Sequence, residues 1–192
     1  MNKTALLAGS LIIIAFMHSA NALTKAEIKL IDPLEEERGW CVDLFAHLTG
    51  GLPIGGFQGH NCFLYMGNGP TEDQGFDSEF YVSNNELRLW YFDLCMTLND
   101  PNPGSFVATE PCVDATTQKF EWKAGGEIVP LAAPDLCLTL GSRAVTGGGG
   151  DPIHLIKRLS FESCDPEIAI RQRWEWRSDY EESVPTMERP YN

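Results

Sequence analysis

Apolar and polar positions in this chain alternate over short stretches and never hold a helical period for long. Leu87-Arg88-Leu89-Trp90-Tyr91-Phe92 is aromatic-rich and partly alternating. Phe120-Glu121-Trp122 and Ile153-His154-Leu155-Ile156 repeat the pattern on a smaller scale. Such runs predict short β-strands. Turn signals separate them: Gly50-Gly51, Gly55-Gly56, Asn68-Gly69-Pro70, Pro101-Asn102-Pro103-Gly104 and the glycines 147–150. Many short strands with frequent turns predict a closed all-β fold.

One stretch departs from this pattern. Residues 4–17 are uncharged and include Leu11-Ile12-Ile13-Ile14, after Lys3 and before Ser19-Ala20-Asn21-Ala22. A positive start, an apolar middle and an A-x-A exit predict a secretory signal over residues 1–22, cleaved after Ala22. An uncleaved anchor is the alternative, but the apolar part is short for a span of roughly 20 residues. The expectation is a secreted protein, or a periplasmic one in a Gram-negative bacterium, with no membrane span after cleavage.

The rest of the chain repeats itself. Asp93-Leu94-Cys95-Met96-Thr97-Leu98 returns as Asp135-Leu136-Cys137-Leu138-Thr139-Leu140. Gln118-Lys119-Phe120-Glu121-Trp122 returns as Gln172-Arg173-Trp174-Glu175-Trp176, with Cys112 or Cys164 between the two motifs. A more divergent copy precedes them, with Trp40-Cys41-Val42-Asp43-Leu44, Cys62 and Gln74-Gly75-Phe76. Three units follow, over about 38–84, 85–126 and 127–177, and they suggest pseudo-threefold symmetry. Residues 23–37, with Glu35-Glu36-Glu37, and the acidic residues 178–192 read as solvated, partly mobile tails.

The chain has 6 cysteines, all outside the signal segment. An even number in an exported chain implies disulfides. Two fall in each unit, so the economical pairing is Cys41–Cys62, Cys95–Cys112 and Cys137–Cys164. No C-x-x-C or close Cys/His pair points to a metal site, and no metal or cofactor is expected. The net charge of −13 repels phosphate backbones and anionic membranes, which argues against nucleic-acid binding. No nucleophile elbow, zinc-protease helix or phosphate loop occurs, and no carboxylate pair has a spacing that implies acid–base work, so no enzyme is expected.

Three units, each with a cysteine pair and a Gln-x-aromatic motif, resemble the ricin-B-type lectin family over roughly residues 38–177. The resemblance implies a β-trefoil. It implies that Phe76, Phe120 and Trp174 enter a shared core rather than a ligand site. It also implies a sugar-binding constellation in each repeat: an Asp beyond the first cysteine, an aromatic or His platform two residues before the second, and an Asn before the Gln. A carboxylate accepts charge-assisted hydrogen bonds from hydroxyls, and a ring stacks on the apolar face of a pyranose.

The first repeat offers Asp43, Gln58, His60, Asp73 and Gln74, with Asp73 standing where the family has Asn. Tyr65 is an alternative platform. In the other two repeats Thr97 and Thr139 replace the Asp, and Glu110 and Glu162 replace the platform, so these read as silent. The resemblance therefore implies a lectin for a glycan or glycoconjugate with at most one site, in the first repeat. The alternative is a protein-interaction or toxin-delivery-type subunit whose sugar sites have decayed. A protease inhibitor, the third option on this fold, has no marker in the sequence.

Overall fold

The structure is a computed structural model, and it describes residues 25–45, 55–62, 71–147 and 151–178. Twelve short strands run through these residues, four to each repeat. The first repeat holds β1 (Lys25–Leu30), β2 (Trp40–Leu44), β3 (Phe57–Asn61) and β4 (Gly75–Asp77). The second holds β5 (Arg88–Leu89), β6 (Leu94–Leu98), β7 (Ser105–Pro111) and β8 (Phe120–Trp122). The third holds β9 (Ile128–Pro130), β10 (Leu136–Thr146), β11 (Leu155–Ser163) and β12 (Trp174–Arg177).

Within each repeat the middle two strands pair antiparallel: β2 with β3, β6 with β7 and β10 with β11. Between repeats the outer strands pair: β4 with β5, β8 with β9 and β12 with β1. This is the β-trefoil that the repeats predict. β11 also pairs with both β3 and β7, which joins strands of all three repeats.

The Gln-motif aromatics lie inside, with Phe76 and Phe120 at 0% exposure and Trp174 at 1%. Trp40, Val42, Leu44, Met96, Leu138 and Leu140 complete the same core from the strands that carry the first cysteines. Phe120 stacks on Phe161 at 5.9 Å, which ties the second repeat to the third. The three disulfides are Cys41–Cys62, Cys95–Cys112 and Cys137–Cys164, one per repeat.

Three expectations need correction. Lys25–Leu30, read as part of a solvated tail, is strand β1, with Ala26, Ile28 and Leu30 buried. Its main partner, β12, lies about 150 residues away, with Glu27 opposite Arg177, so nothing local announces it. The expected strand 87–92 shortens to Arg88–Leu89, because Asp93 takes a positive φ and its N–H bonds to the Leu89 carbonyl in a turn. A short helix, α1 (Ser78–Asn84), was not anticipated: Asp77 caps its start by accepting from Phe80 N at 3.0 Å, and Asn85 ends it in the left-handed region. The signal segment, most of the acidic C-terminal tail and Tyr65 lie outside the described residues.

Candidate functional site

The Gln of each motif makes the same tie in every repeat. Gln118 Nε2 donates to Thr97 Oγ1 at 3.1 Å and to the Pro111 carbonyl at 2.9 Å. Gln172 Nε2 donates to Thr139 Oγ1 at 2.9 Å and to the Ser163 carbonyl at 2.9 Å. In the first repeat Gln74 Nε2 donates to Asp43 Oδ2 at 3.1 Å and to the Asn61 carbonyl at 3.3 Å. The three carbonyls belong to the residues just before Cys112, Cys164 and Cys62. One amide therefore pins the motif to the first-cysteine strand and to the second cysteine, and all three Gln side chains are buried. Gln74, expected to touch sugar, is an internal tie with 0% exposure.

That equivalence shows what is peculiar to the first repeat. Thr97 and Thr139 accept the Gln amide and pass their own hydroxyl protons to the Cys95 and Cys137 carbonyls. A neutral hydroxyl thus suffices for the tie. Asp43 does the same with one oxygen and has a second to spare, and Gln58 Nε2 donates to that Oδ1 at 2.7 Å. Gln58 sits directly opposite Asp43 in the β2–β3 register. The corresponding partners of Thr97 and Thr139 are Ala108 and Ser160, so Gln58 has no counterpart.

Asp43 is 3% exposed, which corrects its reading as an open acceptor. Burial pushes its carboxyl well above the usual range, and the nearby Asp73 carboxylate pushes the same way, against the two amides. Asp73 stands where expected, with its backbone carbonyl accepting from Leu44 N at 2.9 Å. Its Oδ1 is buried without a hydrogen-bond partner among the described residues. A neutral Asn there would remove the repulsion, so the Asp43–Asp73 pair costs stability.

His60 lies opposite Cys41, as Glu110 lies opposite Cys95 and Glu162 opposite Cys137, so the repeat alignment of these positions holds. Its expected role as an open platform does not hold. The ring is 5% exposed and packs edge-on against His154 at 5.0 Å. Burial lowers its pKa to about 4, so the ring is neutral and Nδ1–H donates to the Asn61 carbonyl at 2.6 Å. Asn61 Oδ1 accepts from Leu155 N at 2.6 Å, which fastens this corner to the third repeat.

The register continues outward from Asp43. Gln58 on β3 faces Arg158 on β11, so Asp43, Gln58 and Arg158 form one row across three strands. The row ends in an open groove of about 540 Å³ where β3, β7, β10 and β11 meet, lined by Phe45, Gln58, Phe106, Arg143 and Arg158 among others. Residue-by-residue reading of the repeats missed this groove. Phe45 follows the end of β2, Arg143 sits where the β10 register shifts between Leu140 and Ala144, and Phe106 and Arg158 gain meaning only through the β7–β11 and β3–β11 pairings.

No protein-family profile matches the chain. Solved structures do. An agglutinin from Abrus precatorius superposes with a TM-score of 0.55 at 18% identity, over 79% of this chain and 47% of that one. A non-toxic homologue of type II ribosome-inactivating proteins from Momordica charantia, solved with α-methyl-D-galactoside, gives 0.53 at 16%, over 80% and 47%. The β-trefoil lectin of a Vibrio vulnificus hemolysin, solved with N-acetyl-D-lactosamine, gives 0.51 at 15%, over 85% and 99%. The chain spans about half the length of the two plant proteins. These likenesses show the fold, a β-trefoil.

Proposed function

We propose that this protein is a non-enzymatic carbohydrate-binding module, exported by the segment 1–22, with a single site in the first repeat built on Asp43, Gln58 and Asp73. One observation carries the reading. The fold needs only a hydroxyl to accept the Gln amide, as Thr97 and Thr139 demonstrate, yet the first repeat keeps a buried carboxylate beside a second one. A costly polar group that the scaffold does not require points to ligand recognition. In its ionised form Asp43 accepts only, so it fixes the Gln58 amide with nitrogen inward and leaves Oε1 as the acceptor for a sugar hydroxyl. Asp73 supplies a second acceptor. His60 and Gln74 hold the site together from behind. The lectin structures that share the fold support the same ligand class.

The test is a glycan array on the mature chain, followed by calorimetry with the best glycan. Asp43→Thr retains the tie to Gln74 but loses the clamp on Gln58, and should weaken binding by about 1.5–3 kcal/mol. Thr97→Ser, in the second repeat, should change nothing. Binding unaffected by Asp43→Thr in a folded protein would remove the first-repeat site. The low exposure of Asp43 and His60 favours a second reading, a protein-interaction subunit. A blank array together with a co-purifying polypeptide would select it.

A further inference from the structure

The groove at the end of the Asp43–Gln58–Arg158 row differs in charge from the rest of the molecule. The chain has 27 acidic and 14 basic residues. The groove lining nevertheless includes Arg143, Lys157 and Arg158 and, among the described residues, not one carboxylate. Lys157 is buried and satisfied by Glu35 at 2.6 Å, so it is part of the wall. Arg158 donates from Nη2 to the Gly104 carbonyl at 2.5 Å, which holds its guanidinium in place. Arg143 is exposed and has no ion-pair partner among the described residues. Two guanidinium groups on a strongly acidic protein, facing one groove, mark a place for an anion of the right shape.

The shape comes from the other lining residues. Phe45 and Phe106 are 50% and 49% exposed, and both rings border the groove. The chain at Phe45 is anchored, since its N–H donates to the Gly56 carbonyl at 2.9 Å. Exposed rings on a fixed backbone suit the apolar C–H face of a pyranose. A peptide fits less well. β3, β7 and β11 are each paired on both sides among the described residues, which leaves β10, paired with β11 alone, as the one lining strand with an edge where a peptide could add main-chain hydrogen bonds.

We infer that this groove selects oligosaccharides that carry a carboxylate, with sugar rings against Phe45 and Phe106, a hydroxyl on Gln58 and the acid on Arg143 and Arg158. The inference rests on the carbohydrate-binding reading above and adds the ligand class. A carboxylate accepts bidentate from a guanidinium, which a neutral sugar cannot match.

The experiment is calorimetry of the mature full-length chain with three probes at low and high salt: N-acetyllactosamine, its sialic-acid-capped form, and a uronic-acid-containing disaccharide. At least one acidic probe should bind about tenfold or more tighter than the neutral one, and salt should erode the difference. Which acidic probe wins identifies the source of the carboxylate. Arg143→Gln, at an exposed position, should abolish the preference while leaving the melting temperature unchanged. Gln58→Ala should weaken acidic and neutral probes alike. Equal binding of neutral and acidic probes overturns the inference and leaves the carbohydrate reading standing. No binding to these probes or to a wider glycan array, with the fold intact, overturns both. Tight binding of an acidic peptide that Arg143→Gln abolishes, with no glycan binding, assigns the groove to a protein partner and also overturns the inference.

Discussion

Replacing Asp43 with Thr should make the protein more stable at neutral pH, not less. In the parent, the carboxylate is buried, sits beside Asp73, and is held by Gln58 at 2.7 Å and Gln74 at 3.1 Å. Threonine can accept from Gln74 as Thr97 and Thr139 accept from their own Gln residues at 3.1 and 2.9 Å. The bond lost is the one from Gln58, a charge-assisted contact of about 1.5–3 kcal/mol, and Gln58 is exposed enough to find water instead. The penalty relieved is the desolvation of a carboxylate, several kcal/mol after relaxation, plus its repulsion by Asp73. The balance favours the variant by about 1–3 kcal/mol at pH 7. For a domain of this size that is roughly 2–4 °C in Tm per kcal/mol. The folded-state pKa of Asp43 is raised, so the native state holds the proton more tightly than the unfolded chain does. The penalty is full above the folded pKa and vanishes as pH falls towards the ordinary value of 3.8. Urea titrations of parent and variant at a series of pH values should therefore diverge at neutral pH and converge in acid. Asp43→Ala, which strands the buried Gln74 amide, should be less stable than Asp43→Thr by about 1–3 kcal/mol. If Asp43→Thr is destabilised by more than about 1 kcal/mol at pH 7, the carboxylate is structural and the case for a ligand site at Asp43 fails.

Trp174→Ala should cost about 3–5 kcal/mol in a denaturant titration, because the ring is buried and its Nε1–H donates to the Leu138 carbonyl at 2.9 Å; a loss below about 1 kcal/mol would exclude it from the core. Glu27 is raised from 4.5 to about 7 by burial, against its ion pair with Arg177, and so contributes a stability that falls by up to about 3 kcal/mol as pH rises through that window. His60, lowered from 6.5 to about 4, contributes the opposite slope over an overlapping range. Between pH 4.5 and 6.5 Glu27→Gln should gain stability relative to the parent as pH rises, and matching slopes in the two proteins would show that Glu27 does not titrate as described.

The sequence disclosed those parts of the fold that its repeats duplicate. The cysteine pairing, the core positions of Phe76, Phe120 and Trp174, and the equivalence of His60, Glu110 and Glu162 all follow from matching motifs, and the register places each where it was expected. What stayed hidden depends on contacts between distant segments. β1 pairs with β12 across the length of the chain, and its six-residue alternation looks like any short polar-flanked run. The site residues were legible as a set but not in their exposure. The family resemblance implies that Asp43, Gln58, His60, Asp73 and Gln74 converge. It does not show that Gln58 and Gln74 consume both oxygens of Asp43, or that His154, from the third repeat, closes over His60.

Symmetry then becomes a way to separate scaffold from function. Three copies of one architecture solve the same packing problem, so any residue with equivalents in all three repeats is explained by the fold. Gln74, Gln118 and Gln172 belong to this group, as do the cysteine pairs and the inner aromatics. Asp43 is only half explained, since its tie to Gln74 is general and its charge is not. Gln58 is unexplained by the scaffold, because Ala108 and Ser160 occupy its equivalents without loss of the hairpin. These exceptions lie together: Asp43, Gln58 and Arg158 are neighbours across β2, β3 and β11, and Phe45, Phe106 and Arg143 border the same groove. Unrelated drift in the three repeats would leave its exceptions dispersed around the barrel. Their convergence on one seam, with a buried carboxylate at one end and two guanidinium groups at the other, is what a single asymmetric binding site on a symmetric scaffold requires.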